Sequence, residues 1–241
     1  MKALILAGGR GKRLGELSQN KNKCMTEVKG RPLIQYSLDL ACKMNISEMV
    51  ILVGYRAEDI TSAFGTEYKG IPIKYAVQPE QKGLVNAIEC AAPSLGGEDF
   101  ILMLGDELMI QPRHQQMLDM YKKEGLFAVC GVINAPDKNL VKKTYCVVER
   151  ENNIISRLIE KPENPLNNIM GTGNVILKNE ILSYIPKTPI NANRGEKELV
   201  DLIQCAIDDG KIVKSFYICD SYLNINNAEE LKEAESSFYH P

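Results

Sequence analysis

An apolar run, Lys2-Ala3-Leu4-Ile5-Leu6-Ala7, breaks without a spacer into Gly8-Gly9-Arg10-Gly11-Lys12-Arg13-Leu14, and no other stretch restricts the fold as much. The run has the character of a buried strand. The glycines at positions 8, 9 and 11 permit positive φ and carry no Cβ, so backbone N–H groups can converge on an anion at close range. Arg13 and Lys23 add full charges to this phosphate-binding loop. The spacing excludes two common glycine-rich loops. A P-loop beginning at Gly8 needs glycine at Arg13, and a dinucleotide fingerprint beginning at Gly9 needs glycine at Leu14.

Downstream, helical and strand-like patterns alternate. Pro32 opens a helix whose apolar face is Leu33, Tyr36, Leu40, Ala41 and Met44. Met49–Val53 reads as a buried parallel strand, Ala57–Phe64 as a brief helix, Ile71–Val77 as a strand and Gly83–Leu95 as a helix. Phe100–Leu104 is the most apolar strand, closed by Gly105-Asp106. Past Leu126 the pattern shifts to mixed or antiparallel strands at 126–133, 144–149 and 154–160. A strand at 174–177 follows, then helices near 180–185 and 196–208, a strand at 212–218 and a closing helix from Ala228. The expected fold is α/β, Rossmann-like and doubly wound, with a mostly parallel mixed sheet and helices on both faces. No linker-like segment divides the chain. One domain over 1–241 is expected, with a nucleotide-binding half over about 1–125 and an acceptor half over about 126–241.

With 241 residues the chain can bury a sizeable core, and its net charge of −2, without a Lys/Arg run, argues against nucleic acid as a partner. Seven scattered cysteines without a CxxC pair, and only two histidines, suggest neither a disulfide framework nor a zinc site. A reducing cytoplasm is the expected location. The N-terminal apolar run is too short to span a bilayer and lacks a cleavage site, so no membrane is expected either. Self-association into a homo-oligomer is left open.

Leu6-Ala7-Gly8-Gly9-x-Gly11-x-Arg13-Leu14, then Lys23, then Val28-x-Gly30-x-Pro32-Leu33, resembles the signature of the sugar-phosphate nucleotidyltransferase family, and the likeness runs nearly the length of the chain. The resemblance implies that Leu6, Ala7, Gly8, Gly9, Gly11, Arg13 and Lys23 wrap a nucleoside triphosphate. One departure touches loop rigidity, because Asn22 stands where the family usually has proline. Gln78 and Gly83 follow a strand at the edge where parallel sheets present ligands. Gln78 can donate and accept in one plane, and Gly83 lets backbone approach a ring, so the family's base-recognition position points here to a pyrimidine nucleotide. An ordinary polar βα loop is the plainer reading of the same residues.

The resemblance further implies Mg2+ on Asp106 and on Asn224, the latter within Tyr222-Leu223-Asn224-Ile225-Asn226-Asn227. Residue by residue, the alternative for Asp106 is a helix N-cap and for Asn224 a turn residue. Glu160-Lys161-Pro162, Gly171-Thr172-Gly173 and Arg194-Gly195-Glu196-x-Glu198-x-x-Asp201 resemble the acceptor-binding fragments, with Glu160, Lys161, Gly173 and Arg194 against a phosphorylated small molecule. Arg13, Lys23, Asp106 and Lys161 are the implied catalytic set. The implied reaction transfers a nucleotidyl group from a pyrimidine nucleoside triphosphate to a sugar 1-phosphate and releases pyrophosphate. A cytidylyltransferase acting on a phosphonate, polyol phosphate or choline phosphate is the alternative, and a non-catalytic nucleotide-sugar sensor a second. Cys146 in Tyr145-Cys146-Val147-Val148-Glu149 occupies a position where the thymidylyltransferase branch has glycine. It is expected to narrow the acceptor pocket unless strand alternation turns it into the core.

Overall fold

In the computed structural model, which describes residues 1–11 and 21–237, strand β1 (Lys2–Leu6) is covered on both faces. Ala3 and Ile5 enter one apolar core while Leu4 enters the other, which is why the run shows no polar alternation. A hairpin of β2 (Glu27–Val28) and β3 (Arg31–Pro32) leads into α1 (Leu33–Cys42). There follow β4 (Met49–Val53), α2 (Ala57–Phe64), β5 (Glu67–Tyr68), β6 (Ile71–Val77), α3 (Leu84–Leu95) and β7 (Phe100–Leu104). The second half holds β8 (Glu107–Ile110), α4 (His114–Glu124), β9 (Ala128–Asn134), α5 (Lys138–Val141), β10 (Tyr145–Glu149), β11 (Ile155–Glu160) and β12 (Ile169–Leu177). After a 3-10 stretch at Asn179–Lys187 come α6 (Leu199–Asp208), β13 (Val213–Tyr217), β14 (Ser221–Asn224) and α7 (Ala228–Ser237).

β1 pairs in parallel with β4 on one side and β7 on the other, and β4 pairs in parallel with β6. The chain therefore winds outward through β6 and returns across β1, which creates a topological switch point at the carboxyl end of β1. β12 joins β7 in antiparallel register, β9 joins β12, and β13 runs parallel to β9, so one mixed sheet crosses both halves. Helices α1, α2 and α4 pack on one face and α3 and α6 on the other. The doubly wound α/β fold expected from the sequence is the one that forms. No helix among the described residues is long and apolar enough to cross a membrane.

Three departures from the sequence pattern bear on function. β12 begins at Ile169 rather than 174, and its register shifts between Gly171 and Val175, which lets its first part pair with β10 and its last part with β7. α6 begins at Leu199, because Glu196 and Glu198 turn their carboxylates to Arg194 before the helix starts. β8 and β14, short and half polar, pair with each other in antiparallel register and bring residues 221–224 against 107–110.

Candidate active site

A cavity of about 650 Å³ opens at the carboxyl ends of β1, β4, β6 and β7, where Leu6, Gly8, Leu52, Gln78 and Asp106 line it. Its position follows from winding, since every βα turn of the parallel half ends on this edge. Gly9 and Gly11 line it too, while Ala7 lies beneath, buried, and its N–H donates to Leu52 O at 2.8 Å. Arg13 lies outside the described residues. Lys23 begins a short 3-10 turn, Lys23–Met25, and its ammonium pairs with Asp106 and donates to Asn226 Oδ1 at 3.0 Å. The Asn226 amide in turn donates to Asn224 Oδ1 at 3.0 Å. Asp106 and Asn226 thus converge on one cation, and Asn224 stands one bond further away.

Gln78 is buried, with Nε2 donating to Gly83 O at 3.1 Å and to Asn86 Oδ1 at 3.0 Å. Its donors are committed to the loop. Gly83 has φ +89°, and a Cβ there would meet Glu196 Oε2 at 2.6 Å, so only glycine lets the acidic loop close over this turn.

A second cavity, about 260 Å³, adjoins the first and shares Gly83, Leu84, Arg194 and Glu196 with it. Glu160, Lys161, Gly173 and Asn224 line it. Lys161 sits at φ +39°, a left-handed conformation held by its N–H bond to Thr144 O at 2.7 Å. Arg194 pairs with Glu196, with Glu198 at 3.0 Å and with Glu160 at 3.5 Å, and Lys161 pairs with Glu160 at 3.3 Å. Burial pushes the Glu160 carboxyl above its ordinary pKa, against the pull of Lys161 and Arg194. Burial, reinforced by Glu160, raises Glu198 as well.

A family model described as nucleotidyl transferase matches residues 2–236. The chain belongs to the nucleotidyl transferase family. It is 32% identical over 237 residues to the UTP–glucose-1-phosphate uridylyltransferase AglF of Haloferax volcanii, covering 98% of this chain and 95% of that protein. It is 27% identical to a glucose-1-phosphate thymidylyltransferase of Streptomyces griseus over 97% of this chain, and it spans 64% of that longer protein. A UDP-glucose pyrophosphorylase crystal structure complexed with UDP-glucose has the same fold, with TM-score 0.89, 22% identity, and coverage of 99% of this chain and 98% of that one.

Of the residues expected in the site of this nucleotidyltransferase, Cys146 is a correction. Neighbours on β10 face opposite sides, and Tyr145 and Val147 belong to the core on the side of the smaller cavity while Cys146 belongs to the other core. The thiol is fully buried against Asn167 Oδ1 at 3.4 Å, and Tyr145 lines the cavity in its place. Two residues escaped the sequence analysis. Asn226 touches Lys23, and its only signal was being the second asparagine of the motif that contains Asn224. Glu107, next to Asp106, is buried and accepts from Gly173 N–H at 2.9 Å, Asn174 Nδ2 at 2.7 Å and Tyr222 Oη at 2.6 Å. Burial drives its pKa up to about 8, against the pull of Tyr222 and Gly173. No pattern of its own marked it, because its partners lie on β12 and β14.

Proposed function

We propose that this enzyme transfers a nucleotidyl group from a pyrimidine nucleoside triphosphate to a hexose 1-phosphate, releasing pyrophosphate and forming a nucleoside-diphosphate sugar. The observation that carries this reading is the pair of adjoining cavities with cations on both sides of their junction. Lys23 stands in the larger one, Lys161 in the smaller, and Arg194 lines both. Two polyanions must meet for an acceptor phosphate oxygen to attack the α-phosphorus, and preorganised positive charge on each side offsets their repulsion. The glycine loop offers backbone N–H groups to the triphosphate. A phosphate monoester is already ionised at neutral pH, so the acceptor needs no general base.

The names of the relatives support the hexose 1-phosphate and the pyrimidine nucleotide. With Cys146 turned into the core, the reason for expecting an unusually narrow acceptor pocket is gone. Magnesium fits the donor set as well. Among the described residues no cluster of three His, Cys, Asp or Glu could hold a metal. Asp106 and Asn226 nevertheless offer two oxygens that already converge on a cation, the Lys23 ammonium, and magnesium commonly takes one or two protein oxygens beside substrate phosphates. Bound there, the ion would neutralise phosphate charge. Lys23 would hold the triphosphate, and Arg194 and Lys161 the acceptor phosphate.

The test is pyrophosphate release with magnesium across UTP, dTTP, CTP, ATP and GTP, each paired with hexose 1-phosphates and with choline or polyol phosphates. A pyrimidine triphosphate with a hexose 1-phosphate is expected to be the best pair. Preference for a purine would overturn the base assignment, and preference for a non-sugar acceptor would favour the cytidylyltransferase alternative.

A further inference from the structure

The cation of the larger cavity is delivered by a turn without a covalent stiffener, since Asn22 precedes Lys23. Its backbone nevertheless sits at φ −60° and ψ 138°, with φ where a proline ring would lock it. Hydrogen bonds hold it there. Nδ2 donates to Ala7 O at 3.0 Å and to Tyr55 O at 2.8 Å, Oδ1 accepts from Cys24 N–H at 2.9 Å, and the Asn22 N–H donates to Asp59 Oδ2 at 2.7 Å. The residue is fully buried, so water cannot replace these partners. Asp59 is itself anchored by Arg56, through Nε at 3.0 Å and Nη2 at 3.2 Å.

The partners belong to three segments distant in sequence. Ala7 abuts the glycine loop, Tyr55 follows the end of β4, and Cys24 lies in the turn that carries Lys23. The first two segments are already joined, since Tyr55 N–H donates to Gly8 O at 3.2 Å. A planar amide supplies what this junction needs, two donors for two carbonyls and an acceptor for one N–H. Aspartate would set a carboxylate against both carbonyls, and serine has a single donor.

We propose that Asn22 is a positioning residue for nucleotidyl transfer, its amide fixing the Lys23 turn to the glycine loop and to the end of β4 so that the Lys23 ammonium stands between Asp106 and Asn226. It touches no substrate and acts through Lys23. The kinetic part of the test rests on the proposed function, and the geometric part does not.

Pyrophosphate release is measured for the native chain, Asn22→Ala and Asn22→Ser, with nucleotide and sugar phosphate varied separately. Asn22→Ala is expected to lose about 10²-fold in kcat/KM for the nucleotide, the scale of a small misplacement of a catalytic group. The acceptor KM should stay within about two-fold of native, a split that general loss of structure does not give. Asn22→Ser, which keeps an oxygen for Cys24 N–H, should fall between the two. A near-native Asn22→Ala or an equal loss on both substrates overturns the proposal. Should Asn22→Ala not fold, Asn22→Ser decides by the same substrate split. Amide exchange gives a readout independent of turnover, with the Cys24 N–H expected to exchange at least about ten-fold faster in Asn22→Ala while Ile5 in β1 is unchanged. Unchanged Cys24 exchange overturns the proposal. A native chain inactive on every substrate pair would refute the functional reading alone and leave that exchange test standing.

Discussion

The two cavities lie side by side but are assembled by opposite rules. The larger one collects the ends of β1, β4, β6 and β7, four strands of parallel winding, and at its centre Lys23 bridges Asp106 and the neutral Asn226 amide. The smaller one is made where β10, β12 and the loop before α6 meet, and it carries a dense network in which Arg194 faces three carboxylates and Glu107 takes three donors. A parallel half places its loops on one edge whatever their sequence, so its site needs only the right residues in each turn. An antiparallel half has to fix register and bulge first, so its site depends on buried polar bonds between distant elements.

The comparison breaks most visibly at Lys23. Lys23→Ala should reduce turnover by at least about 10²-fold, or roughly 2.7–4 kcal/mol of transition-state stabilisation, while the fold survives. Saturation kinetics together with a thermal melt would show it. A near-native rate would remove the donor cavity from the chemistry.

On the acceptor side the larger effect is expected on stability. His114 is buried with Nε2 on Asn174 Oδ1 at 2.8 Å, and burial lowers its pKa to about 4 from 6.5. The folded chain keeps this histidine neutral while the unfolded chain takes up a proton below about pH 6.5, so the stability is present above that pH and is lost as pH falls toward about 4. A gap of about 2.5 pH units amounts to about 3 kcal/mol. Denaturant titrations at about pH 7.5 and about pH 4.5 should show His114→Gln losing about 2–3 kcal/mol less than the native chain. Equal losses would mean that the Asn174–Glu107 network does not depend on a neutral His114.

Gly173→Ala should follow. A Cβ there would lie 2.3 Å from Leu104 Cγ and 2.7 Å from Glu107 Oε1, and overpacking of this kind typically costs about 1–3 kcal/mol. KM for the sugar phosphate should rise, and KM for the nucleotide should hold. A rise in both would mean that the cavities are mechanically coupled through Leu104, which lines each of them.

Cys146→Ala should do least, costing on the order of 1 kcal/mol as a small buried group is trimmed and leaving acceptor preference unchanged. A shift in preference toward or away from glucose 1-phosphate would contradict the orientation of β10.

The legible part of the site was the part written in contiguous motifs. Gly8 and Gly9 follow β1, Asp106 follows β7, and Gln78 and Gly83 bound one turn, so knowing the strands was enough to gather them. Lys161 and Arg194 were legible as motif fragments, and the end of β11 and the loop before α6 bring them together on Glu160. Cys146 was misplaced because a strand's alternation sets only two possible faces, and nothing in Tyr145-Cys146-Val147 says which is inward when both are buried and apolar. Glu107 stayed hidden because the β8–β14 pairing that brings Tyr222 to it is short and has no hydrophobic period, and Asn226 because it lies in the loop just past β14.

By itself the sequence determined the winding and the place of the glycine loop directly after β1, because apolar runs and glycines act locally and each βα unit folds onto its neighbour. Tertiary structure alone decided which asparagine meets Lys23, which face of β10 lines the smaller cavity, and which carbonyls and N–H the Asn22 amide joins. Those outcomes turn on the direction of single side chains at contacts between segments far apart in the chain, where a buried amide or carboxylate settles wherever its hydrogen bonds can all be made.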